Sequence, residues 1–223
     1  MPGNLSESLS LSKKEIRQKY DEFARWYELM EPVLELLGVS RLRRRLLQQA
    51  SGKVLEIAVG TGSNLSHYPG TCRPIAGDMS SAMLAFAHKK SNRLGLKIPF
   101  LLMDGETLPF PDRSFDTVVS SLTLCTFPDP VAALREMTRV SRPDGRILLL
   151  EHGRSDREWL GHWQDQRADR HAQMLSCHWN REPLDLVRRA GLNPVTYRRT
   201  FFGIFHCIEA TAGEESRQAE AGS

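Results

Sequence analysis

The segment Val54 to Leu65 reads Val-Leu-Glu-Ile-Ala-Val-Gly-Thr-Gly-Ser-Asn-Leu, and few folds accommodate it. A short apolar run carrying one acid, Glu56, breaks into Gly60-Thr61-Gly62 and resumes with helix-compatible residues. This is the pattern of a buried parallel strand that turns tightly into a helix. The glycines let the backbone turn and let a ligand approach where a Cβ would block it. Glu56 then selects among ligands. A pyrophosphate is held by glycines and the positive end of a helix, and a carboxylate aimed at it would repel it. Leu65 also stands where the dinucleotide pattern needs its third glycine. The segment therefore suits a ligand that carries positive charge.

The rest of the chain alternates strands and helices. After the expected strand at 53–58 come a short helix near 63–67, a strand ending at Asp78, and a helix from Ser80 through about Leu94. A third strand covers 98–103 and ends at Asp104. A fourth covers 114–121, and Asp129-Pro130 opens a helix through Val140, since proline is tolerated in a first turn. Pro143-Asp144-Gly145 turns into an apolar fifth strand, 146–150. Two late strands, near 196–200 and 204–210, flank Phe201-Phe202-Gly203 and read as a hairpin that adds an antiparallel strand to a parallel sheet. Such alternation gives a parallel sheet covered on both faces.

At 223 residues, with 40% hydrophobic and 26% charged residues, the chain fits one α/β domain. Residues 1–12 and 212–223 are polar and are expected to be disordered tails. The domain then spans 13–211, with 13–49 as a helical cap and 50–211 as the core. Within the cap, Tyr20, Phe23, Trp26, Tyr27 and Met30 recur at helical spacing. Their face is either ordinary core packing or a lid over a site. The start of the chain lacks the pattern of a secretory signal. The four cysteines are scattered with no CxxC pair, which argues against structural zinc and fits a reducing compartment. A cytoplasmic protein is expected. The net charge is +3, with arginines concentrated at Arg41, Arg43, Arg44 and Arg45. That cluster is either a solvated helix face or an attraction to an anionic surface, and the even overall balance makes nucleic acid the weaker choice.

Glu56, Asp78 and Asp104 each fall at or near the C-terminal end of a successive strand, the edge where open α/β sheets bind ligands. Asp78 is placed to accept from two ribose hydroxyls, and Asp104 with Gly105 to meet an adenine edge. On these residues, and on Met103–Pro111, Ser114–Ser121 and Val140–Leu150, the chain resembles the class I S-adenosylmethionine-dependent methyltransferases. It is most similar to the group of quinone C-methyltransferases, phospholipid N-methyltransferases and thiol S-methyltransferases. The resemblance covers about residues 50–152. It implies a Rossmann-like, mostly parallel seven-stranded sheet with helices on both faces, an antiparallel late strand and an N-terminal helical cap.

It also implies S-adenosylmethionine as cofactor. Glu56, Gly60, Thr61 and Gly62 then meet the methionine part, Asp78 and Met79 the ribose and adenine, Asp104 and Gly105 the adenine edge. Ser121 matches the family's serine after the fourth strand. Ala58-Val59 departs from the Gly-Cys or Gly-Gly of many relatives, a difference expected to alter side chains without disturbing the turn.

For the acceptor the sequence says less. Ser120-Ser121-Leu122-Thr123 stands where amide and nucleobase N-methyltransferases carry their Asn/Asp-Pro-Pro-Tyr motif. His152 and His178 are the candidate general bases, and Tyr20, Trp26 and Tyr27 the candidate acceptor contacts. The phrase Leu-Leu-Leu-Glu-His-Gly and the later Cys177-His178-Trp179-Asn180-Arg181-Glu182 resemble the thiol branch more than the quinone branch. The expected function is methylation of a small apolar or lipid-like acceptor, a thiol favoured, with a lipid headgroup amine or a quinone carbon as the alternative. No metal is expected, contact with a membrane surface stays open, and the oligomeric state is not encoded legibly. Nucleic-acid methylation through Arg41–Arg45 and a catalytically silent cofactor-binding protein are the competing classes.

Overall fold

Apolar strands that alternate between two helix-covered faces set the architecture in a computed structural model that describes residues 12–212. The terminal segments expected to be tails lie outside the described residues, apart from Ser12 and Ala212. Seven strands are present: β1 (Lys53–Ile57), β2 (Arg73–Asp78), β3 (Phe100–Leu102), β4 (Phe115–Ser121), β5 (Ser141–His152), β6 (Leu192–Thr200) and β7 (Phe205–Ala212). They form one sheet in the order β3-β2-β1-β4-β5-β7-β6. The first five are parallel, and β7 runs antiparallel between β5 and β6. The order reverses between β1 and β4, which places the ligand edge beside Glu56.

The helices are α1 (Lys13–Leu34), α2 (Ser40–Leu47), α3 (Ser81–Arg93), α4 (Pro130–Val140), α5 (Glu158–Leu175) and α6 (Pro183–Arg189). Alternation along the strands feeds two cores. Leu55, Val118, Ile147, Leu149 and Ile208 pack with Leu134 and Met137 of α4 and Leu186 and Val187 of α6. On the opposite face Val54, Val119, Leu148 and Leu150 pack with Leu42, Leu46 and Leu47 of α2. α3 lies over Ala76, Val59 and Leu65. Its N-cap is Ser80, whose hydroxyl accepts from the Met83 amide at 3.1 Å, and Asp129 caps α4 in the same way.

Three features differ from the sequence reading. No helix follows Gly62. Residues 60–67 form successive turns with i to i+3 bonds, because Asn64 spends its side chain on partners across the sheet edge and Pro69 closes the segment. β5 begins five residues earlier than expected, at Ser141, with a register shift against β4 at Phe115/Thr117. The cap helices are joined by a π turn, Glu35–Val39, in which Gly38 takes φ 109°. No described helix is long and apolar enough to cross a membrane.

Candidate active site

The strand ends and the glycine turn build one wall of a cavity of about 480 Å³. Gly60 has φ 57° and Gly62 φ 86°, the left-handed region open to glycine. A Cβ on Gly60 would meet nothing within 4 Å, since that position faces the cavity, whereas one on Gly62 would strike Leu65 at 2.8 Å. Ala58 also takes a positive φ, 53°. The departure from glycine there therefore places an L side chain on a left-handed backbone, with the Gly60-Thr61-Gly62 turn still formed.

Glu56 is 2% exposed. Its Oε1 accepts from Asn64 Nδ2 at 2.9 Å and its Oε2 from the Tyr68 hydroxyl at 2.8 Å. Asn64 also donates to Ser121 Oγ at 3.0 Å and accepts from Arg43 at 2.8 Å. Burial raises Glu56 to about 7, against the opposing pull of Tyr68, Asn64 and Arg43. Asp78 is the second buried acid. Its carboxylate accepts the amides of Gly60 at 2.9 Å and Ser80 at 2.8 Å, and burial raises it to about 6. Asp104, at the third position, accepts from the Glu106 amide at 2.9 Å and from Lys13 at 2.6 Å. Gly105 is needed for packing, because a Cβ would sit 2.7 Å from the Phe127 ring.

The opposite wall comes from α1. Tyr20, Phe23, Trp26, Tyr27 and Met30 line the same cavity as Glu56, Gly60, Thr61, Asp78, Met79, Asp104, Gly105 and Ser121. Gly62 supports the turn without lining the cavity. The helix is fastened by Asp21, which accepts from Ser80 Oγ at 2.6 Å and from the Ala82 amide at 3.2 Å. Among its described side chains, Ile16 and Ala24 are buried against the domain. The aromatic stripe thus faces a cavity.

His152 and His178 are not among the cavity-lining residues. His152 Nε2 lies 3.4 Å from Cys177 Sγ. Desolvation opposes protonation of this ring, but Cys177 and Glu151 together with the nearby backbone leave His152 raised. Burial lowers His178, whose amide donates to the Cys125 carbonyl at 2.9 Å. The Cys125 thiol and His152 hold Cys177 low. Beside them Glu151, fully buried, accepts the amides of Thr123 at 2.8 Å and Leu124 at 3.1 Å.

Sequence reasoning missed Arg43, Asn64, Tyr68 and Asp21. Arg43 was grouped with its neighbours as surface charge, yet it is 7% exposed and pairs with Glu35 at 2.9 Å. Its spacing from Leu42, Leu46 and Leu47 on one helix was the available signal.

Residues 55–149 match the sequence profile of a family described as methyltransferase domain. The chain is 29% identical to the mitochondrial methyltransferase OMS1 of Saccharomyces cerevisiae, over 92% of this chain and 47% of the relative. It is 37% identical to the ubiquinone/menaquinone biosynthesis C-methyltransferase UbiE of Pseudoalteromonas translucida, over 60% of this chain and 57% of the relative. The chain therefore spans about half the length of these curated relatives. Among solved structures, a SAM-dependent methyltransferase of Thermotoga maritima superposes with a TM-score of 0.67 at 23% identity, covering 88% of this chain and 99% of that one. At that identity the likeness speaks for the fold alone. The sheet order, the acids at the strand ends and the matched profile agree: residues 55–149 form a methyltransferase domain with the fold of S-adenosylmethionine-dependent enzymes, similar in sequence to the quinone C-methyltransferases.

Proposed function

We propose that this chain transfers a methyl group from S-adenosylmethionine to a small apolar acceptor seated beneath α1, and that the accepting group is a thiol. One observation carries the reading: a single cavity joins the three strand-end acids to the aromatic stripe of α1. Its volume, about 480 Å³, falls within the usual range of small-molecule sites. The residues present fit the cofactor, since Gly60 leaves open space where a Cβ would stand and two buried acids face a ligand with a cationic end. When bound, S-adenosylmethionine supplies a methyl group activated by its sulfonium.

The chain's own residues bind and orient. Glu56 pairs with the ammonium, with Gly60, Thr61 and Gly62 allowing the backbone to approach. Asp78 accepts from the ribose and Met79 packs on the adenine. Asp104 and Gly105 meet the adenine edge, and Ser121 holds Asn64 in place. Tyr20, Trp26 and Tyr27 contact the acceptor and keep water out, so that alignment supplies most of the rate. No histidine is among the described cavity-lining residues. Burial pushes Tyr27 to about 12 and Tyr20 well upward, so both stay protonated at neutral pH. An acceptor that ionises unaided suits such a site, and a thiol does so within about two units of neutrality. The second reading is methylation of a quinone ring carbon, favoured by the name of the UbiE relative and by the aromatic lining.

The exposed Trp26, Leu29 and Met30 support contact with a membrane surface as the route for an apolar acceptor. All four cysteines are free, which suits a reducing compartment such as the cytoplasm, although the yeast relative is named as mitochondrial. The test is a panel of apolar thiols, amines and quinols scored by release of S-adenosylhomocysteine. Turnover of thiols alone supports the first reading and turnover of quinols alone the second. Cofactor binding with no turnover on any acceptor makes the chain a silent binding protein.

A further inference from the structure

Behind the cavity wall, three donor side chains that the sequence scatters come together. Cys125 follows β4, His152 ends β5, and Cys177 lies in the loop after α5. Their Sγ and ring-nitrogen atoms all lie within 4.8 Å of one another. Around a tetrahedral zinc ion, bond lengths of about 2.3 Å to sulfur and 2.0–2.1 Å to nitrogen place neighbouring donors roughly 3.5–3.8 Å apart. The Cys177–His152 distance, 3.4 Å, is just under that range, and the third donor lies within 4.8 Å of both.

The surroundings fit an ion. Cys125 is 2% exposed, and its backbone carbonyl is tied to the His178 amide at 2.9 Å, so the two cysteine segments run side by side. Behind Cys177, His171 Nδ1 meets its carbonyl at 2.8 Å and the ring stacks on Trp179 at 4.1 Å. Glu151 and Arg181 flank the thiols with opposite charges, so two thiolates and a divalent cation leave the pocket balanced. The Tyr20 hydroxyl, buried without a hydrogen-bond partner, stands on the cavity side of the cluster.

We propose that Cys125, His152 and Cys177 form a zinc(II) site in the wall behind Tyr20 and Tyr27, with the fourth position taken by water or a small thiolate. Two thiolates and one imidazole are a donor set zinc prefers, and three protein ligands leave one position exchangeable. Cysteine spacing alone carries no sign of such a site, because the donors come from three separate segments. The ion would fasten the β4, β5 and α5 ends of the wall to one another.

The full-length reduced chain, stripped of metal, is titrated with Zn²⁺ against a chromogenic chelator and separately with Co²⁺. One equivalent should bind, Co²⁺ should give thiolate-to-cobalt charge-transfer absorption, and the melting temperature should rise with Zn²⁺. Cys125→Ser, Cys177→Ser and His152→Ala should lose the absorption, while Cys72→Ser, Cys207→Ser and His178→Ala keep it. If a variant fails to fold, the wild-type spectrum decides: diamide oxidation should abolish it. No stoichiometric binding by the reduced wild type overturns the proposal. So does an unchanged Co²⁺ spectrum in folded ligand variants, or a Cys125–Cys177 disulfide forming in a chain that never takes up metal.

Discussion

Glu56→Gln separates what the buried acid costs the empty fold from what it gives the ligand. Burial raises this carboxyl to about 7 from an ordinary 4.5. A raised folded-state value means the group's stabilising contribution is complete below the unfolded value and is lost as pH rises through the folded one. At pH 8 the ionised carboxylate therefore costs the empty chain roughly 3 kcal/mol, and at pH 5 about 1 kcal/mol. Glutamine keeps the shape and removes the charge, at a cost of about 1 kcal/mol for weaker hydrogen bonds to Asn64 and Tyr68. The variant should then be more stable than wild type by about 2 kcal/mol at pH 8, and equal to it at pH 5. For a chain of this length that is a rise of roughly 4–8 °C in melting temperature at pH 8. Cofactor affinity should move the other way, by about 2–4 kcal/mol, because a charge-assisted pair with the ammonium is lost. Thermal melts at both pH values and calorimetry with S-adenosylhomocysteine measure the two arms. A variant that melts below wild type at pH 8 refutes the burial argument, and one that binds as tightly as wild type refutes the role of Glu56.

Asp78→Ala should weaken cofactor binding by about 1.5–3 kcal/mol through loss of charge-assisted hydrogen bonds, and unchanged affinity by calorimetry in a folded variant removes that role. Because Asp78 sits at about 6 in the empty site, wild-type affinity should decline as pH falls through that value, and a flat profile between pH 5 and 7 contradicts it. Ala58→Gly should raise stability by about 1 kcal/mol, since the alanine holds φ 53° where an L side chain is strained, and a lower melting temperature refutes it. Removing residues 1–37 should abolish methyl transfer and largely spare cofactor affinity, because the large apolar groups of α1 line the acceptor side of the cavity and only Lys13 and Asp21 reach the cofactor acids or their partners. An unfolded product would make the helix core, and full activity would move the acceptor site elsewhere.

The parallel strands were legible because short apolar runs, closed by Gly, Pro and Asp, leave few alternatives. The acids at their ends were legible for the same reason: each marks the residue where a buried strand reaches the ligand edge. What escaped notice were interactions decided by tertiary convergence. Arg43 looks like its neighbours in sequence and is separated from them only by the face of α2 it occupies. Asn64 reads as a helix residue until its amide is seen bridging Glu56 and Ser121. Cys125, His152 and Cys177 meet only because β4, β5 and the end of α5 share one edge of the sheet, a fact no local spacing carries. Asp21 sits on the polar side of an amphipathic pattern, and nothing nearby in sequence announces Ser80 as its partner.

Asp21 and Arg43 give the two cap helices separate lines of communication. Asp21 grips Ser80, whose amide also holds Asp78. Arg43 grips Asn64, whose amide holds Glu56. Between them the chain bends at Gly38, with α2 rooted in the core and α1 held at the strand ends through Asp21 and Lys13. A ligand that pairs with both acids therefore meets both lines at once, and the expected order of loading is cofactor first, acceptor second. Steady-state patterns of compulsory order are the kinetic signature of that wiring.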